Sequence, residues 1–293
     1  MNTNNQGRNV PNIENPAQDS RIGHLLLELG KITPADVEKI SRAQKEGGGL
    51  RFGDAALKLG LIKESDIRQV LALQFDYPYL ETWQTNYSPD LVAAYHPFSP
   101  QVEALRALRS HLMMCWFDKG YKTLAVVSAN QNEGASFLAA NLAVVFSQQG
   151  ARTLLIDANL RAPQQHTIFN LKENLGLSDI IAGRANMDVI KKIGHFVDLS
   201  VLGAGTIAPN PQELLNRPNF TSLMNQVAAQ YDVVLVDTTP ASSTADVQPT
   251  VARCGGALLV SRLNQTSHAD LVDVKSKISV TGASIVAAVV NDF

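Results

Sequence analysis

Cysteine is nearly absent: Cys115 and Cys254 are the only two in 293 residues. Two thiols so far apart supply neither a disulfide framework nor a zinc site, and the expected compartment is the cytoplasm. Long apolar runs are missing as well. Nothing approaches the ~18 consecutive apolar residues of a membrane span. The first twenty residues, MNTNNQGRNVPNIENPAQDS, have no apolar heart. They are no signal peptide and read as a disordered tail. An excess of positive charge is absent too, since 25 Lys and Arg face 27 Asp and Glu. That argues against nucleic acid as a partner, which calls for a basic stripe. The six histidines are scattered without metal-ligand spacing.

What the chain does have is apolar material, 45% of its residues, and enough length for two domains. A repeat opens it. RIGHLLLELGKITPADVEKISRAQ starts at Arg21, and RFGDAALKLGLIKESDIRQVLALQ starts at Arg51, 30 residues on. Arg21 matches Arg51, Gly23 matches Gly53 and Gly30 matches Gly60. Each unit reads as a helix, a glycine stop and a second helix. Thr33 is placed to N-cap the second helix of the first unit, with Pro34 at its first position. This repeat domain is expected over residues 21–80, with a proline-punctuated linker over 81–98.

From residue 99 to the end, short β-rich runs alternate with helical ones. Strands are expected at 123–128, 152–157, 199–204, 233–237, 256–261 and 284–290, with the clearest helix at 136–149. Strand, crossover helix, strand predicts an α/β domain with a parallel sheet covered on both faces, preceded by the small helical repeat domain. Ligands of such sheets sit at the carboxyl ends of the strands. There the chain carries SANQNEGAS, DANLR and DTTP.

SANQNEGAS follows the first strand and opens the first helix, where a phosphate loop belongs. The segment Asn132, Glu133, Gly134, Ala135, Ser136 and Phe137 is the candidate nucleotide-binding loop. Ser136 stands where a loop Ser or Thr ligates Mg2+. Asp157 and Asp237 each end an apolar strand. With Ser136 they form the candidate metal set, and as carboxylates they are the candidate catalytic pair. Trp83 and Trp116 read as packing residues, and His166 as structural.

The segment from Pro97 onward resembles the bacterial tyrosine kinase family, and within it the EpsG-type chain-length determinant kinases of exopolysaccharide systems. The resemblance rests on PFSPQVEALRALRSHL, AANLAVVFSQQGARTLLIDANLRAPQQH, GLSDIIAG, PNPQELL and YDVVLVDTTP. It implies a MinD/ParA-like phosphate-loop NTPase fold, ATP or ADP with Mg2+, and a membrane polysaccharide co-polymerase as partner. Since the chain offers no span of its own, the partner would hold it peripherally at the inner membrane. The resemblance also gives a role to Glu103, Arg106 and Arg109, an E-x-x-R-x-x-R pattern that builds rings in that family. It implies that Asn291, at the end of the last strand, touches the base. The repeat resembles the N-terminal domain of MshE-type and type II secretion ATPases. There, paired Arg-x-Gly units, here Arg21 with Gly23 and Arg51 with Gly53, grip cyclic di-GMP.

The departures from the family pattern are chemical. The loop lysine is replaced by Ala135, an expected glycine by Asn132, and the second acid of the strand-two motif by Asn159. The C-terminal tyrosine cluster, the usual phosphoacceptor, is missing from VVNDF. Three readings stay open: an active tyrosine autokinase, a nucleotide-responsive pseudokinase regulating polysaccharide polymerisation, and a cyclic di-GMP sensor. The repeat itself reads either as a ligand module or as a helical docking module.

Overall fold

A computed structural model describes residues 16–74, 80 and 86–292. The chain divides into two units, Met1–Tyr77 and Pro78–Phe293.

The first unit contains α1 (Pro16–Glu28), α2 (Pro34–Glu46), α3 (Phe52–Lys58) and α4 (Glu64–Gln74). Helix α1 thus begins within the expected tail, of which 1–15 lies outside the described residues. Gly30 and Gly60 have φ of 64° and 66°. Both stop a helix in the left-handed conformation that glycine adopts without penalty. Thr33 caps α2 through a reciprocal box with Asp36. In the second repeat, the Lys63 amide donates to Asp66. Leu26, Ile32, Ile40, Phe52, Ile62 and Val70 form the core, so the repeats bury matched faces against each other. Lys31 pairs with Asp66 across them at 2.9 Å.

The second unit is a seven-stranded sheet. In chain order it contains α5 (Val92–Tyr95), α6 (Pro100–Cys115), β1 (Thr123–Ser128), α7 (Ala135–Ser147), β2 (Thr153–Asp157), α8 (Gln165–Ile168) and α9 (Leu177–Ile181). Next come β3 (Lys191–Lys192), β4 (Leu199–Leu202), α10 (Pro211–Leu215), α11 (Pro218–Gln230), β5 (Val233–Asp237), α12 (Val247–Cys254), β6 (Gly256–Arg262), α13 (His268–Ser279) and β7 (Ser284–Asn291). The strand order is β3-β4-β2-β5-β1-β6-β7. Only the β3–β4 pair is antiparallel.

Strand alternation sorts the core into two layers. Leu124, Val126, Leu155, Leu235 and Leu258 pack with α5, α6 and α7 on one face. Ala125, Val127, Leu154, Ile156, Val234 and Val236 pack with α9 to α13 on the other. Six expected strands are present. β3 was not anticipated, because two lysines carry no apolar alternation.

One sequence expectation needs correction. The linker placed at 81–98 is, over its described part 86–98, built into the second unit. Leu91, Ala93 and Ala94 are fully buried. Asn141 of α7 accepts from the Ala93 amide at 2.8 Å and donates to the Asp90 carbonyl. Prolines mark its bends, but the apolar LVAAY between them had a buried partner that only the fold reveals. Residues 81–85, with Trp83, lie outside the described residues.

Candidate nucleotide site

The strand order places the ends of β2, β5 and β1 side by side, and the three polar motifs meet there. The loop from β1 to α7 turns on two left-handed residues, Asn132 with φ 60° and Gly134 with φ 88°. Asparagine is among the few non-glycine residues that visit this region readily. Replacing the expected glycine by Asn132 therefore preserves the turn.

The loop is braced from behind. Glu133, only 2% exposed, accepts from the Asn130 amide at 3.0 Å and from the Thr266 hydroxyl at 2.6 Å. Asn291 donates to the Glu133 carbonyl at 2.8 Å, and Arg262 to the Asn132 carbonyl at 3.2 Å. The Asn291 amide is thus engaged by the loop backbone, and the residue does not line the cavity.

That cavity holds about 300 Å³ and is lined by Gln131 to Phe137 with Asn159, Arg161, Gln164, Thr238 and Thr239, among others. Ala135 is in its wall. Among the described residues, the one cationic side chain lining it is Arg161. Its Nε donates to Asp246 Oδ2 at 2.6 Å and its Nη2 to Oδ1 at 3.3 Å.

Beneath the cavity, Asp157 and Asp237 face each other in register on β2 and β5, both fully buried. Asp157 accepts three backbone amides, from Asn159, Gln164 and Gln165, at 3.2, 3.0 and 2.9 Å. Burial, and then the neighbouring Asp237 charge, push its pKa well above the ordinary carboxylate range. Asp237 is also raised by burial, opposed by hydrogen bonds from Gln165 and Ser136. Gln165 bridges the site, with its Nε2 2.8 Å from Asp237 Oδ2 and 3.1 Å from the Ser136 carbonyl. The other oxygen, Asp237 Oδ1, is buried without a hydrogen-bond partner.

Two close carboxylates, one with an orphaned oxygen beside Ser136, suit a hard divalent cation. Magnesium fits Ser136, Asp237 and the adjoining Asp157. Asn159, where the sequence resemblance implies an acid, accepts from the Ala162 amide through Oδ1 at 3.1 Å. An aspartate oxygen could serve the same turn, so the change removes charge and leaves the geometry.

Sequence reading missed Gln165 and Asp246. The first sits in PQQH, eight residues past Asp157. No residue pattern distinguishes its buried amide from that of its exposed neighbour Gln164. The second is 85 residues from its partner Arg161. His166, read as structural, is exposed and contacts Thr167.

The remaining candidates lie elsewhere. On α6, Glu103 is exposed and pairs with Arg106 at 3.0 Å. Arg106 also donates to the Pro97 carbonyl, and Arg109 to the Val145 carbonyl at 2.9 Å. In the first unit, Arg21 and Arg51 are exposed while Gly23 and Gly53 are buried. A Cβ on Gly23 would stand 3.2 Å from the Phe52 ring, and one on Gly53 3.1 Å from Ile67. Both glycines thus lie at close helix contacts.

Among known proteins, the chain is 34% identical over 202 residues to the tyrosine-protein kinase YwqD of Bacillus subtilis. That match spans 69% of this chain and 85% of YwqD. It is 32% identical to the putative tyrosine-protein kinase CapB of Staphylococcus aureus, over 67% of this chain and 86% of the relative. The chain belongs to the bacterial tyrosine-protein kinase family. The kinase domain of the Escherichia coli tyrosine kinase Etk superposes with a TM-score of 0.68 at 30% identity, covering 71% of this chain and 81% of that one. The chimerical protein CapA2B2 gives 0.66 at 30% identity over 76% and 97%. The septum-site-determining protein MinD of Pyrococcus horikoshii shares the fold, with a TM-score of 0.50 at 21% identity over 58% and 70%. No family model matches the chain. No described helix is long and apolar enough to cross a membrane.

Proposed function

We propose that this kinase-family chain binds ATP or ADP with Mg2+ and regulates exopolysaccharide synthesis and chain length, with tyrosine autokinase activity that is degraded or absent. A membrane polysaccharide co-polymerase is its partner, and it would work in the cytoplasm against the inner membrane through that partner. The observation that carries this reading is a kept cradle with a lost cation. The left-handed turns at Asn132 and Gly134, the opposed aspartates and Ser136 are in place, while Ala135 stands in the cavity wall where the lysine belongs.

Binding and chemistry respond differently to that loss. Loop amides at a helix N-terminus hold phosphate in the ground state. Magnesium would neutralise phosphate charge from a position at Ser136 and Asp237. Asp157 and Asp237 would orient the metal, and Asp157 is the remaining candidate to accept a tyrosine proton. A cation aimed at developing charge acts mainly in the transition state, where one such contact is worth roughly 10²–10³ in rate. Ala135 removes one such contact and Asn159 removes a carboxylate from the metal's surroundings.

Calorimetric titration of the full chain with Mg-ATP tests the binding half. Measurable binding that Ser136→Ala and Asp157→Ala both reduce is expected. No heat and no thermal shift at millimolar ATP would overturn it.

For the first unit, the helical-docking reading is favoured by the buried glycines, which lie at close helix contacts. The exposed Arg21 and Arg51 keep cyclic di-GMP as the alternative ligand reading.

A further inference from the structure

We propose that Gln165 is the positioning residue for the metal of this site: it ties Asp237 to the phosphate-loop helix and leaves one carboxylate oxygen for Mg2+. The inference rests on the nucleotide reading above and deepens it.

Gln165 is fully buried and touches each of Ser136, Asp157 and Asp237. Its backbone amide donates to Asp157 Oδ2 at 2.9 Å. Its side-chain Nε2 donates to Asp237 Oδ2 at 2.8 Å and to the Ser136 carbonyl at 3.1 Å. Both side-chain partners are acceptors, so the NH2 end must face them and the amide has one orientation.

Two oxygens are left over. Asp237 Oδ1 and Gln165 Oε1 are buried and have no hydrogen-bond partner among the described residues. A buried acceptor without a donor is costly, and here two belong to one bonded pair of side chains. A small hard cation satisfies Oδ1 by coordination. Magnesium keeps several of its waters when carboxylates bind it, and such a water is the donor that Oε1 lacks. Gln165 brings no charge of its own. It acts through Asp237, holding the carboxylate by Oδ2 so that little remains to be ordered when the ion arrives with a nucleotide. The same amide bonds Ser136 in the first turn of α7, and so joins the metal's carboxylate to the element that receives the phosphates.

The test is calorimetry on the full chain with ADP, once in EDTA and once in excess Mg2+, for wild type, Gln165→Met and Gln165→Glu, with melting temperatures in the same buffers. Wild type is expected to bind ADP more tightly with Mg2+. Methionine keeps the length of the side chain and removes its donors and acceptor. In Gln165→Met the Mg2+ gain should shrink about tenfold or more, as for other residues that orient a metal ligand, while affinity in EDTA stays near wild type. Glutamate keeps an acceptor, loses the donors and adds a third carboxylate. Gln165→Glu should melt earlier than wild type in EDTA and recover more than wild type does with Mg-ADP, and it carries the test if the methionine variant does not fold. If Gln165 is only a packing residue, the variants melt earlier by the same amount in both buffers and keep the wild-type Mg2+ gain, which overturns the proposal. A wild type that binds ADP equally with and without Mg2+ also overturns it, with nucleotide binding intact. A wild type that binds no ADP in either buffer overturns the nucleotide reading as well.

Discussion

Asp157 and Asp237 are direct cross-strand neighbours at the ends of β2 and β5, each with no exposure to solvent. Two buried carboxylates in register oppose folding unless protons or a cation neutralise them. The absence of one loop cation makes that repulsion more consequential here than where a lysine is nearby.

The pair predicts a pH-dependent stability. Burial raises Asp237 to about 6 and, with the Asp237 charge added, Asp157 to about 8. A raised folded-state pKa contributes stability that is complete below the ordinary carboxylate range and lost as pH climbs through the raised values. Without divalent cation, Asp237→Asn is expected to be more stable than wild type at pH 8, by ~2–3 kcal/mol. The gap should close near pH 4, and added Mg2+ should narrow it at pH 8. Denaturant unfolding across that range checks this; a gap independent of pH and Mg2+ would show that the two carboxylates do not repel.

Asn132 predicts a local rule for substitutions. Its φ of 60° makes Asn132→Gly well tolerated, whereas Asn132→Val places a β-branched residue in the left-handed region at a cost of about 1–2 kcal/mol. The valine variant should also weaken Mg-ATP binding, since the loop carries the phosphates. Equal stability of the two variants would mean the turn is not held as described.

Assembly through Glu103, Arg106 and Arg109 remains a proposal, and the contacts of α6 say how to test it. Arg106 and Arg109 hold backbone carbonyls within the chain, so replacing them confounds assembly with folding. The Glu103 side chain is 73% exposed and makes one surface ion pair, typically worth under ~1 kcal/mol. Glu103→Ala should shift an oligomer toward monomer in light scattering while its melting temperature stays put. An unchanged mass would confine the motif to the subunit.

In the repeat unit, Gly53→Ala would bring a Cβ to 3.1 Å from the tip of the Ile67 side chain, which must shift by a few tenths of an ångström to admit it. Arg51→Ala, at an exposed position, should leave stability unchanged. Titration with cyclic di-GMP then separates the readings: binding by wild type that Arg51→Ala abolishes supports a ligand module, and equal behaviour of the two leaves helical docking.

Much of this was legible in the residues. Short β-rich apolar runs such as TLAVVS and VVLVD showed the strands, and strand-loop-helix order located the phosphate loop. The Gly30 and Gly60 stops were read from the repeat alone and have matching φ values. What escaped were contacts made by sequence-distant partners. Gln165 reaching Asp237, Asn291 reaching Glu133 and Asp246 reaching Arg161 span 72, 158 and 85 residues. Periodicity reports on a residue's own element and says nothing about such pairs. LVAAY was misplaced in a linker for the same reason, since its partner Asn141 lies on a helix some fifty residues later.

The most direct test of the account combines occupancy and chemistry in one sample. The purified full chain, saturated with labelled Mg-ATP as judged by calorimetry, is assayed for phosphotyrosine beside Asp157→Ala. The account predicts bound nucleotide with no phosphotyrosine above the Asp157→Ala background. Vigorous labelling that depends on Asp157 would show that a site with Ala135 and Asn159 still transfers phosphate, and would contradict it.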